Sequence, residues 1–291
     1  MSIMVSSAAS SPYLRRVPFV LLAAGLGSRF GGVKPLAPVG TQGEPLLVVS
    51  LEQARRAGFE QAIVVVGPAS RAPIEAALLD GATLPVRLVD QDSVGPARSK
   101  PWGTVGAALA AASCCESSDI VLANGDDLYG TVGLALARQW VESASPPSGD
   151  GAAVLYRLGA TLSGTGGVSR GIATLDAHGR MRLLEENREV QRTGDQIVSS
   201  TNTNLDSHCL ASMNLWCLRD AALRCLAVEF RRFIDVHGCD PEAELGLPGA
   251  IHSLIGAGVI QIDGLTTDSP WHGVTFAADV PQVRDALNRE T

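Results

Sequence analysis

The string Leu22-Ala23-Ala24-Gly25-Leu26-Gly27-Ser28-Arg29-Phe30-Gly31-Gly32-Val33-Lys34-Pro35 carries the residue types that hold a chain of phosphates. Glycines let a backbone approach phosphate oxygens closely and turn its N–H groups toward them. Arg29 can fork onto those oxygens, and Lys34 adds a compact point charge. No Gly-Lys-Ser/Thr closes the string, so it is not a P-loop. No glycine stands three residues after Gly27, so it is not the dinucleotide fingerprint either. A second string, Asn124-Gly125-Asp126-Asp127-Leu128-Tyr129-Gly130, offers adjacent carboxylates to a hard cation. Mg²⁺ typically takes one or two carboxylates and completes its shell with water and substrate phosphates. The same residues also suit an Asx turn or a helix N-cap. A third string, Lys100-Pro101-Trp102-Gly103-Thr104, opens an Ala-rich stretch, so that Gly103 and Thr104 would present free N–H groups at a helix start.

These strings need strands to position them. Val17–Ala24 (VPFVLLAA) is a short continuous apolar run, the pattern of a strand buried on both faces. Ala62–Val66 reads as a second buried strand, Val86–Val89 as a short strand and Asp119–Ala123 as another. Between them, helical spacing is expected over Glu44–Ala57, with Gly58 as a C-cap, over residues 71–79 and over Thr104–Ala112. Strand–helix alternation predicts an α/β fold with a doubly wound, mostly parallel sheet. Ligands bind such sheets at the carboxyl ends of the strands, where the first two strings both fall. The second half is less regular. Ser143–Gly151 reads as a loop, Ala152–Leu158 as a strand, and Leu162–Gly171 as a Gly- and Ser-rich mobile segment. Ile172–Leu175 and Met181–Leu184 read as a hairpin, Ser212–Leu218 as a strand and Ala221–Val228 as a helix. No linker marks a boundary, so one domain is expected over 17–291. Residues 17–140 would form its nucleotide-binding half and 141–291 its sugar-phosphate-binding half, behind a disordered lead at 1–16.

Apolar residues at 46% and charged residues at 18% give a globular chain with ample core. The net charge of −7 argues against nucleic acid as a partner, because polymer binding needs broad basic surface. A phosphorylated small molecule needs only a local cluster of cations. The six cysteines include no C-x-x-C pair, which points to free thiols and a reducing, cytoplasmic setting. Neither a signal peptide nor a membrane span is read in the sequence, and homo-oligomerisation is left open.

The string L-A-A-G-x-G-x-R-x-x-x-x-K-P resembles the signature of the sugar nucleotidyltransferases, or NDP-sugar pyrophosphorylases. The resemblance spans roughly residues 17–285 and implies a single-domain Rossmann-like, GT-A-like nucleotidyltransferase fold. It implies that Leu22, Ala23, Ala24, Gly25 and Gly27 wrap the nucleotide, that Arg29 and Lys34 act on the phosphates, and that Asp126 binds the metal and the nucleotide. By the same resemblance Gln91, Gly103 and Thr104 contact the base. On the acceptor side it implies Arg170, Gly171, Glu186, Arg188 and Asn214. Glu185-Glu186-Asn187-Arg188 lacks the lysine and proline of the family's corresponding segment, and such a charge run usually reads as a solvated hairpin end. The family's second metal aspartate falls at Gly273 within Trp271-His272-Gly273-Val274-Thr275, leaving Asp268 and His272 as nearby substitutes. The strings N-x-D-D-x-Y-G and W-x-G-V-T place the chain in a distinct branch of that resemblance.

The implied reaction joins an NTP to a sugar 1-phosphate with Mg²⁺ and releases pyrophosphate. Because the attacking phosphate is already anionic, catalysis rests on alignment and charge neutralisation rather than on a general base. The alternatives are a cytidylyltransferase for a non-sugar phosphate such as phosphocholine, and a catalytically silent nucleotide-binding regulator.

Overall fold

The computed structural model describes residues 17–25, 30–117, 119–143, 149–164, 166–201, 205–274 and 277–290. The expected lead at 1–16, Gly27, Arg29, Thr275 and most of the 143–151 loop lie outside the described residues. In chain order the first half runs β1 (Phe19–Leu22), α1 (Leu46–Arg56), β2 (Ala62–Val66), α2 (Pro68–Gly81), β3 (Val86–Asp90), α3 (Thr104–Ser113), β4 (Ile120–Asn124), β5 (Asp127–Leu128) and α4 (Gly130–Glu142). The second half runs β6 (Gly151–Arg157), β7 (Val168–Leu175), β8 (Met181–Thr193), β9 (Gln196–Val198), β10 (Leu210–Leu218), α5 (Asp220–His237), α6 (Leu247–Gly256), β11 (Ile262–Thr267), β12 (His272–Gly273) and α7 (Val280–Glu290).

The protein is α/β, with a mixed, mostly parallel central sheet between helices. Strands β3, β2, β1 and β4 lie side by side and parallel. β10 joins β4 antiparallel and carries β6 and β7 as neighbours, β11 runs parallel to β6, and β7–β8–β9 continue antiparallel. Side-chain alternation sorts the strands onto two cores. Phe19, Leu21, Val64, Val121 and Ala123 pack beneath α1 and α4 through Leu47, Leu51, Leu134 and Ala137. Val20, Ile63, Val65, Ile120 and Leu122 face α3, α5 and α6 through Val105, Ala108, Leu226, Phe230 and Ile251. A smaller cluster of Ala37, Val39, Leu46, Leu128, Val274, Val283 and Leu287 holds α7 against the start of α1. Among the described residues no helix is long and apolar enough to cross a membrane.

Two sequence expectations change here. Residues 168–171, expected within a mobile segment, belong to β7, where Gly171 pairs with both Ser212 of β10 and Glu186 of β8. Ladder partners on both sides override the local Gly and Ser composition. Glu185–Arg188, expected at a solvated hairpin end, lies inside β8, with Asn187 only 2% exposed. The turn falls at the other end of the strand, after Thr193.

Candidate active site

Leu22 and Asn124 are register partners at the carboxyl ends of β1 and β4. β1 is followed in space by β2 on one side and β4 on the other, so the strand order reverses at this point and leaves a crevice there. The Gly125 N–H donates to the Leu22 carbonyl at 2.9 Å. A Cβ on Gly125 would stand 2.9 Å from that oxygen and 3.0 Å from the Ala23 Cβ, so the contact requires glycine. The glycine-rich segment and the Asp126–Asp127 turn therefore leave the sheet together. Lys34, in a short 3-10 turn anchored by buried Pro35, returns its Nζ to 3.4 Å from Asp126 Oδ2.

A cleft of about 860 Å³ opens on one side of this junction, lined by Leu22, Ala24, Gly25, Gln91, Gly103 and Thr104. Ala23 differs: its side chain is buried in the core and its N–H is spent on the Val65 carbonyl. Gly103 has φ +97°, and a Cβ there would meet the Leu245 carbonyl oxygen at 2.6 Å. The Thr104 hydroxyl accepts the Leu247 N–H at 2.8 Å. That bond satisfies an orphan donor at the start of α6, so this hydroxyl is spent within the fold. Arg98, which the motifs did not single out, and Lys100 of the third string close the wall. Arg98 stacks 4.2 Å over Trp102 and donates to the Ala243 carbonyl at 2.9 Å. Lys100 lies 3.1 Å from Glu242 and 3.2 Å from Glu244. These contacts bind the strap before α3 to the strap before α6.

A second cleft of about 700 Å³ lies on the other side, lined by Asp126, Asp127, Arg170, Gly171, Glu186 and Asn214 among others. Asn124 lines both clefts. Asn214 sits at the β10 bulge between Ser212 and Leu215 with φ +63°. A non-glycine residue in that region costs free energy and persists only when its surroundings impose it. Here the bulge turns Asn214 toward the cleft, and Trp216 Nε1 donates to its Oδ1 at 3.3 Å. The Arg170 guanidinium donates to the Thr161 and Ser169 carbonyls and stands 5.0 Å over the Trp271 ring. Burial lowers it to about 10, opposed by the attraction of Asp127, so it stays cationic at neutral pH. Arg188 is displaced from the expected group: it is exposed, lies 3.6 Å from Glu186 and lines neither cleft. Pro248, Gly249 and His252 of α6 complete the wall. Nothing local in the sequence marks them, because α6 reaches the cleft only through its packing on β8.

Asp127 is 8% exposed. Its Oδ2 accepts from Asn124 Nδ2 at 2.9 Å and meets the Tyr129 hydroxyl at 3.2 Å. The Tyr129 hydroxyl also accepts from the Asn124 N–H at 3.1 Å and donates to the Met213 carbonyl at 2.7 Å. One buried phenol thus ties the β4 terminus, the acidic turn and the β10 bulge together. Burial raises the Asp127 carboxyl well above the usual range, and the neighbouring Asp126 charge adds to this. Asp268 is exposed, pairs with Arg157 at 3.3 Å and does not line the second cleft. His272 faces a smaller cavity of about 270 Å³ beyond Trp271. Among the described residues no group of three or more His, Cys, Asp and Glu side chains is gathered to hold a metal. The partly exposed Asp126 carboxylate, which lines the second cleft, still fits Mg²⁺, which takes few protein ligands when phosphates supply the others.

The family described as MobA-like NTP transferase domain matches residues 19–208. No curated protein matches the chain in sequence. Among solved structures, HddC from Yersinia pseudotuberculosis is similar over 93% of this chain and 99% of its own, with TM-score 0.60 and 14% identity. The same protein complexed with GMP-PN gives the same values. The inositol-1-phosphate CTP transferase from T. maritima is similar over 93% of this chain and 96% of its own, with TM-score 0.62 and 14% identity. At such identities these likenesses bear on the fold.

Proposed function

Because the chain belongs to the MobA-like NTP transferase domain family and is a nucleotidyltransferase, we propose that it transfers a nucleotidyl group from an NTP to a sugar 1-phosphate, releasing pyrophosphate. The observation that carries this reading is the pair of clefts that share Asn124, with Asp126 lining the second and Lys34 3.4 Å from Asp126. A base and ribose fit the cleft of Leu22, Gln91, Gly103 and Thr104. An acceptor phosphate fits the cleft of Arg170, Gly171, Glu186 and Asn214. The α-phosphorus then falls between them.

In this reading an acceptor phosphate oxygen attacks the α-phosphorus, and the bond from that phosphorus to the bridging oxygen breaks toward pyrophosphate. Arg170 holds the acceptor phosphate, because it is the one Arg or Lys lining that cleft among the described residues. Lys34 leaves Asp126 for the β- and γ-phosphates and neutralises the departing charge. Asp126 is the proposed Mg²⁺ ligand, and the bound ion supplies charge neutralisation across the phosphates. Gly25, with Gly27 and Arg29, is assigned to the triphosphate. Asn214 and Gly171 position the sugar, and Arg188 is left without a role.

One observation favours a second acceptor. Glu185 and Glu186 face the same cleft as Arg170, without the cations that a polyanionic acceptor would need. A phosphate ester carrying an amine or trimethylammonium, such as phosphocholine, suits that balance. Phosphorus NMR of the chain incubated with NTP, Mg²⁺ and each acceptor class distinguishes the two. A new pair of diphosphate resonances with a sugar 1-phosphate supports the first reading. The same pair formed only with phosphocholine supports the second.

A further inference from the structure

The residue opposite Asp127 in the β5–β12 pair is Gly273, and its missing side chain has a definite place. A Cβ built there would collide with the Trp271 ring and stand 2.8 Å from Asp127 Oδ1. The space that a side chain at 273 would enter is therefore already filled by an indole and a carboxyl oxygen. The two oxygens of Asp127 are used differently. Asn124 Nδ2 donates to Oδ2 and the Tyr129 hydroxyl stands 3.2 Å from it, whereas Oδ1 is the oxygen that faces Gly273. Asp127 lines the same cleft as Asp126 and is the residue next to it. The adjoining strand is fixed as well, because the Val274 N–H donates to the Asp126 carbonyl at 3.3 Å.

We propose that Asp127, through Oδ1, is the second carboxylate presented to the divalent cation, with Gly273 as the residue that makes room for it. This rests on Asp126 being the first ligand, as proposed above. The pair would be contiguous in sequence, so no carboxylate from the C-terminal segment is needed. Asn124 and Tyr129 act as positioning residues that hold Oδ2 and leave Oδ1 on the Gly273 side. Mg²⁺ accepts such a set, with water and phosphates filling the remaining positions.

The test is Mn²⁺ binding to the full chain, read from the electron paramagnetic resonance of free Mn²⁺, with and without tripolyphosphate. Asp127→Asn suits it because the amide oxygen can still accept from Asn124 while the NH₂ group replaces Oδ1. Partners outside a coordination sphere already cost about 10–100-fold in metal affinity when lost, so loss of a direct ligand should weaken Mn²⁺ by more than about a hundredfold, and a smaller loss would make Asp127 a positioning residue and overturn the proposal. Circular dichroism should be unchanged. Wild-type affinity in Asp127→Asn, with loss in Asp126→Asn, would overturn the proposal and leave Asp126 as the ligand. Wild-type affinity in both variants would overturn the metal reading itself. Iron-directed hydroxyl-radical cleavage puts the question to the unaltered chain. Cuts are expected both at residues 126–127 and at 272–274, and cuts at the first alone would contradict the proposal.

Discussion

Lys34 Nζ lies 3.4 Å from Asp126 Oδ2, joining the segment after β1 to the turn after β4. Both side chains are partly exposed, at 19% and 34%, so the pair contributes little to stability as an isolated ion pair. Its meaning is positional. A cation and a carboxylate that a triphosphate and its metal would separate are held together beside the second cleft, two residues from Asn124, which lines both.

Asp126→Asn should lower turnover by about a hundredfold or more, on the scale measured for losing one electrostatic contact to a transition state. The fold should persist, because Asp126 is partly exposed and its side chain pairs with Lys34, itself partly exposed. Steady-state kinetics with a thermal melt check this. Unchanged kcat with an altered melt would make the residue structural.

Lys34→Ala should slow transfer by roughly 10- to 150-fold, the equivalent of about 1.5–3 kcal/mol for a charge-assisted contact made in the transition state. Its effect should fall on kcat/KM for the nucleotide, with the melting temperature little changed. A large loss of stability at wild-type kcat/KM would contradict the assignment.

Gly103→Ala should weaken nucleotide binding and the fold together. The new Cβ meets the Leu245 backbone, and φ +97° strains any L side chain. The cost should be on the order of 1–3 kcal/mol. Thr104→Val, by contrast, removes only the acceptor for Leu247 N–H and should cost about 1 kcal/mol of stability. Nucleotide titration and melts of both variants separate the two effects.

Asp127→Asn should stabilise the metal-free protein, and increasingly so as pH rises. Burial and Asp126 raise the Asp127 pKa in the folded chain. Across the window between its unfolded and folded values the folded state binds the extra proton. Stability is therefore lost as pH climbs through that window. Asparagine removes the titration, so the melting difference between variant and wild type should be small near pH 4 and grow through the neutral range. A constant difference would show that burial does not perturb this carboxyl. Together with weakened Mn²⁺ binding, the result would place stability and function in opposition at this residue.

The features legible in the sequence were those written locally. The apolar run Ala62–Val66 marked a buried strand to the residue, whereas β1 and β4 differ from their runs at the ends, and the strings at Leu22 and Asn124 stand at strand carboxyl ends, where such sheets bind ligands. Those features were also the ones carried by a family resemblance, and the family now rests on residues 19–208. What stayed hidden depends on topology. His252 and Pro248 enter the acceptor cleft only because α6 packs on β8. Asn187 is buried within a charge run because β7 covers it in the ladder. Thr104 was read for its N–H groups, whereas its hydroxyl is committed to a partner 143 residues away. The exchange between Gly273 and Asp127 is invisible without the pairing of two two-residue strands.

The central claim is nucleotidyl transfer to a sugar 1-phosphate, and pyrophosphate release tests it most directly. The wild-type chain and Asp126→Asn are each incubated with the four NTPs and dTTP against common sugar 1-phosphates and phosphocholine, with and without Mg²⁺. The expected result is release that requires one NTP, one sugar 1-phosphate and the divalent cation, and that is lost in Asp126→Asn. Nucleotide binding without pyrophosphate release from any pair would contradict the claim.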